Sequence, residues 1–357
     1  GIRPSHSDPS LVAAWDDWSE TCDADGRTDF AGLLAIIARE LVVAGECFVH
    51  LLDDGLRVLP ADQVDRSQSR NLVDGAADVQ GVRFDTHGRR TGYWVFPNRP
   101  LDGFESWPTP VLVPAENICH VMRPIAPGQV RGVSWLAPIV LAAAEFDKLA
   151  DALLMGVQVA AMHAGFLTDL NAVGGLPAYD GNAAGGVLES GLEPGVLKVL
   201  PAGVDVKFST PQQAQQTSEF VKQQLRGLAA GLGLPSHLLD NDLSGANYSS
   251  LRAGLLPFRQ RVEQVQYGVL VPQFLAPVWR RFVLGEVLAG RLDDIATARR
   301  CEWIMPRWAS VDPLKDVQAD VAEIDAGLAS RSEKIAARGW TPEEVDAARA
   351  ADKAREK

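Results

Sequence analysis

Residues 135–167 read WLAPIVLAAAEFDKLADALLMGVQVAAMHAGFL, the longest helical pattern in the chain. A continuous helix of this length spans about 50 Å at ~1.5 Å per residue. The charged residues Glu145, Asp147, Lys148 and Asp151 interrupt its apolar run. Because charges inside a membrane span are costly, this pattern argues against a transmembrane segment. We expect a long helix and no membrane partner.

A different kind of sequence follows at 168–208, which is rich in Gly and Pro. Short β-like pieces occur within it at 186–188, 196–200 and 204–208. Ser209-Thr210-Pro211 then predicts the start of a second helix, since a hydroxyl cap followed by Pro is a typical helix start. This second helix is rich in Gln and ends near Gly233. Two helices bracketing a small β insert are thus the organising feature of the chain.

The residues before the first helix show a mixed α+β pattern. Apolar residues at helical spacing predict one helix that ends near Gly45. Its apolar face consists of Phe30, Leu33, Leu34, Ile37 and Leu41. We expect two β-hairpins, one formed by 47–52 with 56–59 and the other by 81–85 with 91–96. A loop follows at 97–114, and a further strand at 117–121.

Beyond the second helix we expect a polar loop and then helices to the end of the chain. The loop covers 234–248, and a long helical pattern starts near Ser249, with bends at Pro257 and Pro272 because proline lacks an N–H donor. Three further helix starts follow, at Asp312-Pro313, Ser330 with Glu333, and Thr341 with Glu344. The first of these helices should have Val317, Val321, Ile324 and Leu328 on one face.

Composition places the chain among ordinary globular proteins, with 357 residues, 46% of them hydrophobic and 22% charged. The formal net charge of −12 argues against a simple basic patch that grips nucleic acid. The four cysteines are far apart and form no CxxC pair, so we expect reduced cytoplasmic thiols and neither a zinc site nor a disulfide framework. The opening Gly-Ile-Arg-Pro lacks an initiator Met, so we expect that upstream sequence has been removed or left out.

The sequence offers no recognised catalytic motif. It contains no GxxxxGK[ST], which separates it from a packaging ATPase, and no HExxH, GxSxG or nucleotide-binding GxGxxG. Ser236, His237 and Asp240 lie too close together for a catalytic triad, which is assembled from separated segments. A calcium loop starting at Asp240 would need Glu at its twelfth position, where Leu251 stands. We therefore predict no catalytic residue, no metal and no cofactor.

Several segments, in order along the chain, share one resemblance. They are Gly1–Pro4, Gly81–Asp85 with Gly88-Arg89 and Tyr93–Val95, Gln129–Pro138, Gly233–Pro235, Asp242 with Ser244, Asn247–Gly254, and Gly327–Arg331 with Gly339. Together they resemble the lambda-type portal family of tailed phages, whose motifs include GVExD…GR…YWV and QxRGxPxLAP. Ser134 stands where the second motif has Pro.

The resemblance implies an α+β phage portal fold with a wing, a two-helix stem, a small β-rich clip and a helical crown. It assigns the wing to 1–134 and 249–310, the stem helices to 135–167 and 209–233, the clip to 168–208, the tunnel loop to 234–248, and the crown to 311–357. It also implies a structural role and no enzymatic activity.

The function implied by the resemblance is a ring of twelve identical subunits at one capsid vertex. Double-stranded DNA would pass through its channel without sequence specificity during packaging and ejection. The expected partners are the large terminase subunit, the head–tail adaptor, and the major capsid protein or scaffold. The protein would belong to the virion and assemble in the host cytoplasm.

Candidate site residues follow from this assignment. The tunnel loop offers Asp240, Asn241, Asp242, Ser244, Asn247 and Tyr248. The second stem helix offers Gln212, Gln216 and Gln223, since uncharged polar groups pass a polyanion without holding it. Those glutamines alternatively form an ordinary solvated helix face. Arg131 and Arg252 are candidates for intersubunit or interdomain ion pairs, or alternatively for surface salt bridges of little energetic worth.

Two other functions stay open from the sequence. A metal-dependent nuclease or hydrolase could use Asp240 and Asp242, although two-metal sites need carboxylates that converge on ions about 4 Å apart. Metal-dependent cleavage of DNA would identify it. Another head–tail connector ring protein, such as an adaptor, is the other alternative, but adaptors are shorter and lack long stem helices.

Overall fold

A computed structural model describes residues 2–97, 109–161, 165–167, 182–184, 187–189, 197–199, 214–245, 247–292, 295–309 and 312–355. The chain forms two compact units. The first comprises Gly1–Ala137 with Ser244–Lys357, and the second comprises Pro138–Leu243. The second unit is therefore inserted into the sequence of the first. Over the described residues, no helix has the length and apolar character needed to cross a membrane.

Five of the described helices begin at side-chain caps. Asp8, Asp29, Asn247, Asp312 and Ser330 each accept a hydrogen bond from a backbone N–H of the first helical turn. The helices are α1 (Pro9–Thr21), α2 (Phe30–Val43), α3 (Val140–Ala161), α4 (Ala214–Leu232), α5 (His237–Asp240), α6 (Tyr248–Val265), α7 (Ala276–Leu288), α8 (Ile295–Ala298), α9 (Pro313–Asp325), α10 (Arg331–Ala337) and α11 (Pro342–Arg355). A π-helical segment, Gln266–Leu275, joins α6 to α7, and 3-10 turns occupy Ala61–Gln63 and Ala115–Asn117.

The strands are mostly short and antiparallel. They are β1 (Arg3–Ser5), β2 (Glu46–Leu51), β3 (Leu56–Leu59), β4 (Arg70–Asn71), β5 (Ala77–Val79), β6 (Val82–Phe84), β7 (Arg90–Val95), β8 (Val111–Pro114), β9 (Ile118–Met122), β10 (Gly165–Leu167), β11 (Asn182–Ala184), β12 (Val187–Glu189), β13 (Leu197–Val199) and β14 (Glu302–Ile304). The first unit holds a three-stranded sheet in the order β3-β2-β9, a five-stranded sheet in the order β4-β5-β6-β7-β8, and the pair β1-β14. In the second unit, β10 pairs with β13 in parallel and β11 pairs with β12 antiparallel.

The predicted N-terminal elements are confirmed. The five apolar residues that predicted α2 are its five buried residues, and Gly45 follows with a φ of +86°. Both predicted hairpins form, β2 with β3 and β6 with β7. The strand β9 also forms, but β8 lies inside the stretch predicted as loop, and β4 and β5 were not predicted. Their alternation is too short to stand out from turn sequence.

The main core of the first unit joins segments that precede and follow the second unit in sequence. It contains apolar side chains of α1, α2, β2 and β9 together with those of the π-helical segment and α7. Trp15 and Trp279 lie at its centre, with ring centroids 5.2 Å apart, and Trp303 contacts both rings. The antiparallel pair β1-β14 brings the N-terminus to the same place. Burial of these large rings contributes a major part of the stability of the unit.

A second core lies between the two larger sheets of the first unit. Phe48 of β2, Val82 of β6, Tyr93 of β7 and Ile118 of β9 are buried there together with Val64. Phe48 and Tyr93 meet edge to face with centroids 5.6 Å apart. This core fixes the five-stranded sheet against the three-stranded one.

The first long helix is shorter than predicted. It runs over Val140–Ala161, about 33 Å at ~1.5 Å per residue. Residues 135–139 form turns before it, because Pro138 disfavours helical geometry in the residue that precedes it. Its predicted last residues, 165–167, form strand β10 instead.

Pro257 lies inside α6 without ending it, and Pro272 lies inside the π-helical segment. The bends expected at these prolines stay a prediction. The predicted loop 234–248 contains the short helix α5. Two predictions, the β piece at 204–208 and the helix start at 209–211, lie outside the described residues.

The three C-terminal helices begin at the predicted caps, and the capping boxes at Ser330 with Glu333 and Thr341 with Glu344 both form. On the apolar face of α9, Val317 and Val321 are exposed, as is Leu328 just after the helix. The division into wing, stem, clip, tunnel loop and crown stays a prediction.

Candidate functional site

The second unit holds two helices that contact each other, α3 and α4. The partly buried positions of α3 and of the residue before it are three or four residues apart: Ile139, Ala143, Phe146, Leu149 and Leu153. On α4, Leu228 and Ala229 are buried. A Cβ on Gly231 would overlap the side chain of Ile139, so the start of α3 approaches the end of α4 closely. Spacing of this kind is typical of paired helices.

The second half of α3 is apolar on nearly every side. Leu154, Met155 and Val157 are 57%, 59% and 66% exposed. A helix that is hydrophobic all round is ordinarily covered on all sides. Side chains of the described residues leave these three uncovered, so this end of α3 is a candidate contact surface for another chain.

The predicted glutamine face falls only partly within the described residues. Gln223 is exposed on α4. Gln216 belongs to α4, but its side chain is not among those described, and Gln212 lies outside the described residues. The apolar side chains on another face of this helix are buried or partly buried: Val221, Leu225, Leu228 and Leu232. The lining role of the glutamines stays a prediction.

The loop after α4 is folded into local turns. Gly233 ends α4 with a φ of +68°, and Asn241 follows α5 in the left-handed region with a φ of +54°. The carboxylate of Asp240 accepts a hydrogen bond from the backbone N–H of Asp242 at 2.9 Å. The carboxylate of Asp242 in turn pairs with Lys222 of α4 at 3.0 Å. The end of this loop is thereby attached to α4.

The remaining loop candidates belong to the first unit. Asn247 is the N-cap of α6: its side chain accepts from Ser250 N at 2.9 Å, and the Ser250 hydroxyl accepts from Asn247 N at 2.9 Å. This reciprocal pair is a capping box. Tyr248 is the first residue of α6, and Ser244 is exposed in the turn before it. Asn247 therefore has a structural role in starting α6.

A buried ion cluster lies in the first unit around Glu46, which begins strand β2 and is fully buried. Its carboxylate accepts from Arg131 Nε at 2.8 Å, His120 Nε2 at 3.0 Å and the backbone N–H of Gly132 at 2.6 Å. The Arg131 guanidinium also donates to the carbonyl oxygens of Ala61 and Gln80, at 3.0 and 2.8 Å. One carboxylate and one guanidinium therefore tie together β2, β9, the turn after β3 and the segment that follows β9.

The cluster shifts the pKa values of its members. Burial alone would raise the pKa of Glu46, but hydrogen bonds from His120 and Arg131 lower it to about 2. Burial lowers the pKa of His120 below its usual 6.5, although the bond to Glu46 acts the other way. Nδ1 of His120 is buried without a hydrogen-bond partner. His120 is therefore neutral, with its proton on Nε2.

Two glycines allow the segment after β9 to approach β2. A Cβ on Gly132 would overlap the carbonyl oxygen of Gly45, and a Cβ on Gly45 would overlap the backbone of Val133. The Ser134 hydroxyl donates to the carbonyl oxygen of Val42 at 3.4 Å and accepts from Leu136 N at 3.1 Å. The backbone N–H of Trp135 also donates to Val42 O. The chain is thus held to α2 and β2 just before it leaves the first unit.

The two predicted arginines have different surroundings. Arg131 was expected to form an intersubunit or interdomain ion pair, but it is buried and pairs with Glu46 inside the first unit. Its partner is far away in sequence, which no local pattern could indicate. Arg252 of α6 lies 3.5 Å from Asp316 of α9, and both side chains are partly exposed. This pair links the predicted wing to the predicted crown, and its worth at the surface is small.

The described residues do not form a metal centre. Among them, no group of three or more His, Cys, Asp or Glu side chains is placed to hold a metal ion. Asp240 and Asp242, the two acids of the nuclease alternative, engage a backbone N–H and Lys222, respectively. All four cysteines are free thiols.

Comparison with known protein families identifies the family to which the chain is similar. The family model for "Phage portal protein, lambda family" matches residues 6–266. This is well over half of the chain, and it takes in the Glu46 cluster, the second unit and α6.

The chain belongs to the lambda family of phage portal proteins.

Individual relatives agree with this membership. The chain is 26% identical to a probable portal protein of Halomonas phage phiHAP-1, over 92% of this chain and 67% of the relative. It is 25% identical to portal protein B of Escherichia phage lambda, over 94% of this chain and 71% of that protein. A chain from the virion of a native gene transfer agent particle has a similar fold, with a TM-score of 0.50 at 18% identity, over 96% of this chain and 86% of that one. The mixed helix-and-sheet portal fold predicted from the sequence is confirmed.

Residues of this portal protein that the sequence did not single out are Glu46 and His120. Each is a polar residue in an otherwise apolar strand, Glu46 at the start of β2 and His120 in the middle of β9. A charged residue that opens a buried strand is a signal that a partner exists, because an unpaired buried charge is costly. The motif residues Arg131 and Gly132 are the partners of Glu46.

Proposed function

We propose that this chain is the subunit of a portal ring of twelve copies at one vertex of a phage capsid. Double-stranded DNA passes through the central channel during packaging and ejection. The ring binds the large terminase subunit during packaging and the head–tail adaptor afterwards, and it contacts the major capsid protein or the scaffold. It is assembled in the host cytoplasm, becomes part of the virion and catalyses no reaction.

The observation that carries this proposal is the uncovered apolar end of α3. Leu154, Met155 and Val157 are exposed on one turn of a helix that already pairs with α4. Identical chains that contact each other head to tail close into a ring when the rotation between neighbours divides a full turn. Membership of the portal family supports that arrangement for this chain.

The charge of the chain fits a conduit for DNA. Each cation paired with a phosphate adds affinity through counterion release, so a strongly basic wall would hold DNA in place. The chain carries 46 acidic and 34 basic side chains. Gln223 on α4 and the glutamines near it in sequence add polar groups without charge. We assign these residues and the loop at Asp240–Asp242 to the channel side.

The experiment is a direct measurement of assembly and of DNA passage. We expect mass photometry of the purified chain to show a particle about twelve times 38.4 kDa, and negative-stain images to show rings with a central hole. Packaging reactions with terminase should fill capsids that contain the chain and leave capsids without it empty. Monomers at high concentration, or cleavage of DNA that depends on a divalent metal, would contradict the proposal.

A further inference from the structure

Two arginines of the first unit approach the same indole ring. The guanidinium carbon of Arg123, just after β9, lies 5.7 Å from the centroid of the Trp135 ring. That of Arg261, in α6, lies 5.8 Å from the same centroid. Both distances are within the range of a cation–π contact. Two positive charges are thus gathered at one aromatic side chain.

Neither guanidinium has an anionic partner among the described residues. Other arginines of the first unit do: Arg83 pairs with Asp78, Arg281 with Asp53 and Arg291 with Glu286. Burial lowers the pKa of Arg261, and the positive charge of Arg123 lowers it further. Bringing two like charges together without a counter-ion is unfavourable.

The same place offers a third donor. Nε1 of Trp135 is buried and has no hydrogen-bond partner. Guanidinium and indole groups donate hydrogen bonds and accept none. A cluster made of donors alone is complementary to a group made of acceptors, and a carboxylate or phosphate is such a group.

We propose that Arg123 and Arg261, which meet at the Trp135 ring, bind a carboxylate side chain of a neighbouring copy of this chain. The inference rests on the proposed ring, because it requires a second copy. It goes further in naming the residues of one side of a subunit contact and the chemistry of the other side.

The chain itself supplies suitable carboxylates. Residues 1–60 contain eleven acidic and four basic side chains. On α1, Asp16, Asp17 and Glu20 are exposed on adjoining turns. Burial, together with the charges of its acidic neighbours, raises the pKa of Asp16. Unpaired donors at one place and an excess of acceptors elsewhere on the same chain favour a head-to-tail contact between copies.

A protein carboxylate fits these observations better than a DNA phosphate. Duplex DNA carries one charge per about 1.7 Å of its axis, and its binding proteins present a stripe or patch of cations. Here only two guanidiniums lie near a single ring, in a chain of net charge −12. One carboxylate between two guanidiniums satisfies both with charge-assisted hydrogen bonds.

The first test compares assembly of the wild type with that of R123A, R261A and the double variant. We expect the double variant to need on the order of tenfold more protein to reach half assembly, since removing one side of a paired charge contact at an interface weakens it to at least that extent. R281A is the matched control, because Arg281 already pairs with Asp53 inside the chain. Melting temperatures of dilute monomers report whether any variant is misfolded.

A second test identifies the partner. R261K keeps the charge and provides an amine that a carbodiimide couples to a carboxylate in contact with it. In rings mixed from light and heavy nitrogen-labelled chains, we expect an amide link between a light and a heavy peptide. The acidic residue in that link is the partner, and links confined to single chains would contradict the proposal.

The outcomes separate this inference from the proposed function. Rings of the wild type together with unchanged assembly of the double variant would overturn the inference and leave the ring standing. A wild type that does not self-associate would overturn both. Unchanged rings with weaker binding of duplex DNA by the double variant, measured by fluorescence anisotropy, would show that the ligand is a phosphate and overturn the carboxylate assignment.

Discussion

Glu46 is a buried carboxylate on which three segments of the first unit converge. In E46Q, Arg131 stays buried but loses its counter-ion, and breaking a buried pair in this way costs about 3–5 kcal/mol. We expect a fall of that size in the free energy of unfolding, measured by urea denaturation. E302Q changes an exposed glutamate of β14 and should leave the free energy of unfolding nearly unchanged. Equal stability of E46Q and E302Q would contradict the role given to this ion pair.

Stability should fall in acid, in two stages. The pKa values of His120 and His50 lie below 6.5 in the folded chain, so the unfolded chain binds more protons as the pH drops below 6.5. The pKa of Glu46 is about 2, so its contribution is lost as the pH falls from about 4.5 toward 2. We expect a flat melting temperature between about pH 7 and 8, a decline below 6.5 and a steeper one below 4.5.

The double variant H50Q/H120Q tests the assignment of the first stage. Without these two imidazoles the melting temperature should change little between pH 6.5 and 5. The second stage should persist, because Glu46 is unchanged. A wild-type melting temperature that is constant from pH 7 to 5 would show that the two histidines do not titrate differently on unfolding.

Single residues also show what a sequence can and cannot reveal. Asn247 followed by Ser250 is a helix-capping pattern that is visible in the sequence. The same residues resemble part of a family motif, and Asn247 was therefore assigned to the tunnel loop. Arg131 stands in a motif, but nothing near it in sequence points to Glu46. The donors around Trp135 come from three separate segments, so no local spacing could have predicted them.

At the scale of elements, the close approach of β2 and the segment after β9 depends on glycine. In G132A the added methyl would overlap the carbonyl oxygen of Gly45, and forcing the backbone to move costs about 1–3 kcal/mol. G285A is the matched change, because Gly285 in α7 has open space around its Cα. Replacing a helical glycine in that setting stabilises by about 0.5–1 kcal/mol. In urea denaturation we expect the free energy of unfolding to fall in G132A and to rise in G285A. Changes of the same sign in both variants would contradict the role given to Gly132.

Helices were easier to predict than strands for physical reasons. The helix α2 and the three C-terminal helices have regular apolar spacing and side-chain caps, which are local properties. The strands β4, β5 and β8 have two to four residues each, and pairing with neighbouring strands defines them more than their own residue pattern does. The late start of α3 shows that one proline, Pro138, can prevent helix formation even where the residues on both sides of it have a helical pattern.

At the scale of the whole molecule, the exposed end of α3 should control assembly. L154E places a charge on an apolar side chain that is 57% exposed, so the monomer should keep its melting temperature. A ring that buries this side chain should not tolerate the charge, and mass photometry should show monomers. A350E adds the same charge to an exposed position of α11 and should leave ring formation unchanged. Rings formed by L154E would show that this surface is not the subunit contact.

The chain is divided into two compact units, and the second, Pro138–Leu243, covers most of the predicted two-helix region with its insert. The assignment of these parts to stem and clip stays a prediction. The sequence did not show that α1 and α7 share one core, because their contacts join residues more than 200 positions apart. The periodicity of apolar residues indicates the type of a single helix or strand, and it does not indicate which distant elements contact each other.

That shared core has a consequence for biosynthesis. Trp15, made early, packs against Trp279 and Trp303, made near the end. At 5–20 residues per second, the ribosome needs roughly 10–60 s to extend the chain from one to the other. Through that interval the apolar faces of α1 and α2 lack their final covering, so nascent chains should depend on chaperones until translation passes the last strand.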